Sequence, residues 1–397
     1  MRRILLLLLI GILGLFAISK FGAAMLSAAI VSRKEAGHDA PEKIRASATS
    51  LMENPVQTQV WNTPTASPPR FESFGTVSIQ PDFEVDGQGL NVDSIAFWEA
   101  PESADTLMFV TAKKNQLVEV WKYPFVENEQ SPIQGIFKTG NVNGIVMDQR
   151  TDLLYVSQAK DSSTVFVFSI SDSAPYWELK ETFSGGSLGS EPNQDILYHA
   201  NGETWLYVTD SEKGVQIWNV DPLLESVPPE LKGDFTASDL TSLETILADD
   251  YYQVIYIPDE NGRTGVFAYQ PDGGLYQRNA VHKLQGNDIF QSDEEGIVLY
   301  TCSSTAEGDR GRGLIVVADQ EKDQTDFEFF DRQTWAHLGT LRIEGVSNTD
   351  GIASTQQSLP DYPLGIFAAI NDDETTVGVG WDRVLNATGL SCEPSSD

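Results

Sequence analysis

Residues 107–121 read LMFVTAKKNQLVEVW: an apolar run, a short polar turn, then a second run in which apolar and polar residues alternate. Alternation with a period of two belongs to a strand with one buried face, and two such runs around a tight polar turn make a β-hairpin. The unit returns as LLYVSQAKDSSTVFVF from Leu153, WLYVTDSEKGVQIWNV from Trp205, VIYIPDENGRTGVFAY from Val254, LIVVADQEKDQTDFEFF from Leu314 and GIFAAINDDETTVGVGW from Gly365. Aligning Phe109, Tyr155, Tyr207, Tyr256, Val316 and Phe367 spaces the copies about 46 to 60 residues apart, too long for solenoid repeats.

A lone hairpin cannot bury both of its faces, whereas twisted sheets packed radially around an axis bury them against one another. The expected fold is therefore all-β, a six-bladed β-propeller over residues 71–397, with about 50 residues per blade. A large β-sandwich would also alternate strands and turns, but it gives no reason for six copies. Closing the ring requires the two ends of the chain to share a blade. The segment from Ser73 to Asp82 is the expected source of the strand that completes the last one.

Ahead of the repeats, Arg2 and Arg3 precede an uncharged run from Ile4 to Ser19, then Lys20 and the small-residue stretches Gly22-Ala23-Ala24 and Ser27-Ala28-Ala29. Residues 1–31 read as a signal peptide, with a membrane anchor as the rival. Residues 32–70 are rich in Ser, Thr, Pro and charge without apolar periodicity and read as a flexible linker. The chain is expected to be exported, whether periplasmic, secreted or tethered to the outer face of a membrane. Its two cysteines, Cys302 and Cys392, lack a C-x-x-C spacing and allow at most one disulfide.

Of 397 residues, 26 are Lys or Arg and 58 are Asp or Glu, a formal charge of −32 that repels nucleic acid and attracts cations. An anionic ligand must then arrive with metal ions or meet a local reversal of charge. Carboxylates recur where loops should line one mouth of the ring: Asp93 in VDSIAFW, Glu244 in SLETILADDYY, Asp259 and Glu260 in PDENG, Asp293 and Glu295 in QSDEEGIVLY, and Asp350 in SNTDGIAS. Asp293 and Glu295 are two apart, so on a regular strand they share a face and can bite one ion. Converging carboxylates repel unless they keep protons or bind a cation, and calcium suits such a set because it takes six to eight oxygen ligands in loose geometry. Zinc wants His and Cys, and the chain has four His.

The blade pattern, together with VDSIAFW, TAKK, LETILADDYYQVIYIPDENG, DEEGIVLY and GVSNTDGIAS…LPDYPLGIFAA, resembles the calcium-dependent β-propeller phytases from about Phe71 to Trp381. The most specific stretch is SNTDGIAS with the YPLGIFAA strand after it. The resemblance implies a phosphomonoesterase that uses several calcium ions to hydrolyse inositol hexakisphosphate, taken up as its calcium complex, by attack of an activated water. It implies Asp93, Glu244, Glu260, Asp293, Glu295, Gln320 and Asp350 as metal ligands. Lys113, Glu260 and Asp293 become the catalytic candidates, and Lys113, Lys213 and Glu344 the groups near substrate.

The phosphate-binding half departs from the family pattern. Val146 stands where the family has an arginine, Asn193 where it has a tyrosine, and Ser211 where it has a lysine, with Lys213 two residues on. Arg263, Arg310 and Arg312 are loop residues that would have to supply the missing charge. A monomeric enzyme acting on a small phosphorylated substrate is the expectation. A catalytically silent, calcium-stabilised propeller serving as a binding module is the alternative, and a lactonase-like propeller with one central calcium a third reading.

Overall fold

The computed structural model describes residues 71–392 apart from 88–89, 127–133, 137–140, 160–163, 185–191, 201, 211–213, 262–263, 277–282, 286–287, 304 and 306–307. The leader of residues 1–31 and the linker of residues 32–70 lie outside the described residues, as does Lys213.

Two short strands come first, β1 (Thr76–Ile79) and β2 (Phe83–Asp86). Blade one follows as β3 (Val92–Trp98), β4 (Leu107–Ala112), β5 (Leu117–Lys122) and β6 (Gln134–Ile136), and blade two as β7 (Asn141–Asp148), β8 (Leu153–Ala159), β9 (Thr164–Ile170) and β10 (Trp177–Ser184). Blade three is β11 (Pro192–Ala200), β12 (Glu203–Asp210), β13 (Gly214–Asn219) and β14 (Glu230–Thr236), and blade four β15 (Leu247–Asp249), β16 (Val254–Pro258), β17 (Gly265–Tyr269) and β18 (Lys283–Gln285). Blade five holds β19 (Asp293–Thr301), β20 (Gly313–Gln320), β21 (Asp326–Asp331) and β22 (His337–Ile343), and blade six β23 (Ile352–Thr355), β24 (Ile366–Asn371) and β25 (Thr375–Gly380), after which helix α1 (Trp381–Thr388) ends the described fold.

Each blade is an antiparallel sheet whose strands are paired in chain order. The first strands of the blades, β3, β7, β11, β15, β19 and β23, each touch the next around a closed ring, β23 returning to β3. This is the six-bladed β-propeller expected from the repeats. The aligned residues Phe109, Tyr155, Tyr207, Tyr256, Val316 and Phe367 all lie on the second strand of their blades and are all buried. Large side chains at this one position fill the space between neighbouring sheets, which is why the repeat is so easily read.

Closure differs from expectation in detail. The strand that completes blade six is β2, antiparallel to β25 with Phe83 opposite Gly378 and Asp86 opposite Thr375. The Ser73–Asp82 segment instead supplies β1, which adds a fifth strand to blade five by pairing in parallel with β22. Two consecutive strands thus bind two neighbouring blades. Helix α1 packs Trp381 among Tyr300, Phe329 and Phe367, and a disulfide joins Cys302 to Cys392 just beyond it.

Inner strands of four blades carry the same irregularity near their starts. The register shifts between Val92 and Ile95, between Val142 and Ile145, between Pro192 and Asp195, and between Glu294 and Ile297. One extra residue in the inner strand leaves a backbone amide without a ladder partner, and a hydroxyl on the next strand takes it up. Thr111 Oγ1 accepts from Ser94 N at 2.9 Å, and Ser157 Oγ accepts from Gly144 N at 3.1 Å. Such bulges bend a strand and re-aim its side chains.

Candidate metal centre

The starts of the inner strands and the hairpins joining second to third strands face the same end of the ring. Asp93, Glu244, Glu295 and Asp350 belong to the first group, and Lys113, Glu260 and Gln320 to the second. At this mouth Glu244, Glu260 and Glu295 each present a carboxylate oxygen within 4.8 Å of the other two. Glu295 sits in the bulge of β19, Glu260 at the β16–β17 hairpin and Glu244 in the segment entering β15.

Two glycines let the remaining blades close in. A Cβ at Gly351 would stand 2.1 Å from the Asp93 carbonyl oxygen, and one at Gly296 would stand 2.7 Å from Ile352 Cγ1. Blade six therefore presses against blades one and five only because the residues after Asp350 and Glu295 lack side chains. This is the physical content of Gly in both TDGI and DEEG.

Lys113 closes the group. Its ammonium pairs with Asp93 and lies 3.5 Å from a Glu244 oxygen. Burial acts to lower its pKa, but attraction from Asp93 and Glu244 prevails and holds it well above the ordinary lysine value. Opposite it, the Gln320 amide donates to Asp350.

The carboxylates carry the cost of this crowding. Burial, then repulsion from Asp93, pushes Glu244 up to about 7. Asp350 is pushed up to about 9 by burial, by Asp93 and by a hydrogen bond with Asp373. Glu295 is raised well above the usual carboxylate range by burial and by Glu244 and Glu260. Groups so placed either hold protons or hold a cation. The donor set consists of carboxylate and amide oxygens without His or Cys, which fits a hard cation such as calcium and not zinc.

Not every expected residue joins them. Asp293 is outside the trio: the extra residue between Glu294 and Ile297 breaks the regular alternation on which a shared face with Glu295 depended. Asp293 is instead the cross-strand partner of Gln320. Glu344 follows β22 at the outer edge of blade five, where its backbone amide donates to the Ile79 carbonyl and its carboxylate accepts from Gln80. Val146 is half-buried and lines the central cavity, bringing no charge. Arg310 and Arg312 belong to the β19–β20 loop at the opposite end; Arg312 donates to the Ser391 and Cys392 carbonyls. Arg263 lies outside the described residues.

Two buried acids stand beside the trio: Asp259, which the sequence places at the mouth with Glu260, and Glu294, which it does not single out. Asp259, 1% exposed, accepts from the backbone amides of Thr241 and Ser242 at 2.5 and 3.3 Å and from the Thr264 hydroxyl at 2.8 Å. Glu294, fully buried, accepts from Gly265 N at 2.9 Å through one oxygen, while the other meets no donor among the described residues. Burial pushes its carboxyl up to about 8. Their adjacency to Glu260 and Glu295 was visible in the sequence; their burial was not.

Fold and mouth together define a six-bladed propeller with a carboxylate-lined, cation-attracting end. Residues 234–386 match the family model of the phytases, a stretch that contains Glu244, Glu260, Asp293, Glu295, Gln320 and Asp350 but neither Asp93 nor Lys113. The chain is 26% identical over 163 residues to the 3-phytase of Bacillus subtilis (strain 168), a match spanning 37% of this chain and 40% of that protein. The chain is phytase-like, and the match spans about two-fifths of the length of that curated relative. Among solved structures, Chaetomium thermophilum Sqt1 bound to the N-terminus of ribosomal protein L10 is similar at 14% identity and a TM-score of 0.42, over 78% of this chain and 76% of that one. That likeness is too slight to bear on function.

Proposed function

We propose that this chain is an exported, calcium-dependent phosphomonoester hydrolase acting on phytate or a related phosphorylated polyol. The observation that carries the reading is the convergence of Glu244, Glu260 and Glu295 within 4.8 Å of one another, inside the phytase-like stretch. These three would hold calcium, with Asp93, Asp350 and Gln320 flanking them. Bound calcium ions would supply positive charge to the phosphoryl oxygens and lower the pKa of the attacking water.

The chain's own residues do the rest. Lys113, tied to Asp93 and Glu244 at the rim, offers a fixed ammonium to a phosphoryl oxygen and does not act as a nucleophile. Ser242 donates to Glu260 Oε2 at 2.5 Å and fixes the orientation of that carboxylate. As water adds to phosphorus, the ester P–O bond breaks; carboxylates beside the trio, Asp293 among them, take the water's proton and the departing polyol oxygen gains one. The strongly negative protein repels free polyphosphate, so the substrate enters as its calcium complex. The Cys302–Cys392 disulfide is in keeping with an oxidising compartment and so with export.

The test is phosphate release from inositol hexakisphosphate by the full chain, with millimolar calcium and again with excess chelator. Release with calcium that stops with chelator is expected. Release that ignores the chelator, or none in either condition, overturns the proposal.

A further inference from the structure

We infer that Asp259, itself no ligand, is the residue that sets the spacing of Glu244 and Glu260 and thereby the calcium affinity of this mouth. The inference rests on the calcium reading above. Glu244 and Glu260 are 16 positions apart and enter from different parts of blade four, so something must hold their two segments together against carboxylate repulsion.

Asp259 occupies that position. Its Oδ1 accepts from Thr241 N at 2.5 Å and from Ser242 N at 3.3 Å, on the segment that leads into Glu244. Its Oδ2 accepts from Thr264 Oγ1 at 2.8 Å, and its backbone amide donates to the Gly265 carbonyl at 3.2 Å, on the hairpin that bears Glu260. Ser242, drawn in by the same carboxylate, donates to Glu260 in turn. One carboxylate thus fastens the segment of one proposed ligand to the hairpin of another. At 1% exposed, Asp259 stays out of solvent, and its hydrogen bonds are satisfied within the protein. Charge-assisted bonds to backbone amides in such a setting are among the stronger ones and fix geometry.

An asparagine can reproduce this pattern. Its carbonyl oxygen accepts from the Thr241 and Ser242 amides, while its amide faces the Thr264 hydroxyl, which rotates to accept. An alanine cannot.

The experiment is calorimetric titration of calcium into the full chain and its Asp259→Ala, Asp259→Asn and Thr264→Val variants, well below their melting temperatures, with melting also recorded in chelator. Asp259→Ala should bind calcium roughly tenfold more weakly, as is usual when a group that orients a metal ligand is lost. Asp259→Asn should recover most of that loss, and Thr264→Val should show a smaller one. Unchanged calcium affinity in a folded Asp259→Ala, even with a lowered melting temperature, overturns the inference and leaves the calcium reading standing. An asparagine variant as weak as the alanine one overturns it too, because the charge would then be acting directly. Should Asp259→Ala fail to fold, unchanged affinity in Thr264→Val is the overturning result. An unmodified chain that binds no calcium removes the reading and the inference together.

Discussion

Lys113 in blade one and Glu244 in blade four, 131 residues apart in the chain, meet across the mouth with ammonium and carboxylate 3.5 Å apart. The contact spans the mouth and joins two blades whose inner strands are not neighbours in the ring. It also places a positive charge at the rim of a negative site, where a phosphate approaching the trio would meet it.

Replacing Lys113 with alanine should lower phosphate release roughly 100-fold, the usual cost of removing one charged donor from a developing oxyanion. The calcium-dependent rise in melting temperature should survive, because the carboxylates remain. Loss of both together would make Lys113 a structural residue.

Glu295→Gln should act in opposite directions with and without the cation. In chelator, removing one of several crowded, buried carboxylates relieves repulsion, so the melting temperature should rise. In calcium the variant should gain less stability than the unmodified chain, by about 1.4 kcal/mol for each tenfold loss of affinity. A variant that melts below the unmodified chain in both conditions to the same extent contradicts the placement of Glu295 at an ion site.

Stability in chelator should fall as pH rises from about 4.5 to about 9. Glu244 is raised to about 7 and Asp350 to about 9, so between those values and the ordinary carboxylate range the folded state holds protons that the unfolded state has lost. Stability then declines with rising pH through that window. Glu294, raised to about 8, adds to the decline, and Glu294→Gln should make it shallower. Saturating calcium should flatten it further by replacing the protons. Melting curves across pH, with and without calcium, check the sign.

Reduction of the disulfide should lower the melting temperature by several degrees. Cys302 and Cys392 are 90 residues apart, and the chain-entropy estimate for a loop of that size is roughly 4–5 kcal/mol. The Cys302→Ser, Cys392→Ser double variant should melt like the reduced chain.

Much of this architecture was legible because one position repeats. Phe109, Tyr155, Tyr207, Tyr256, Val316 and Phe367 are large, buried and flanked by alternation, so the six hairpins stand out in the sequence. The closing strands were harder to assign: β1 and β2 have four residues each and are partly exposed, leaving too short a pattern to choose between blades five and six. At the site, the trio's members were readable as carboxylates near turns. Asp293 was grouped with Glu295 because the bulge of β19, which shifts the phase by one residue, leaves no mark in the composition around it. Asp259 reads in the sequence as one more mouth carboxylate and Glu294 as an ordinary acid, and only the hydrogen bonds of Thr241, Ser242, Thr264 and Gly265 set them apart.

The six inner strands enclose a central cavity of about 220 Å³ walled by residues such as Ile95, Ile145, Val146, Leu247, Ile297, Val298 and Ile352. Gln149 and Ser354 share that wall with the aliphatic residues, so it offers polar as well as apolar surface. On the function proposed above, a phosphorylated substrate would be met at the carboxylate-lined mouth. Phosphate released there would leave past the same carboxylates and Lys113, so product and the next substrate would contend for one threshold. Accumulated product is expected to slow turnover in this protein.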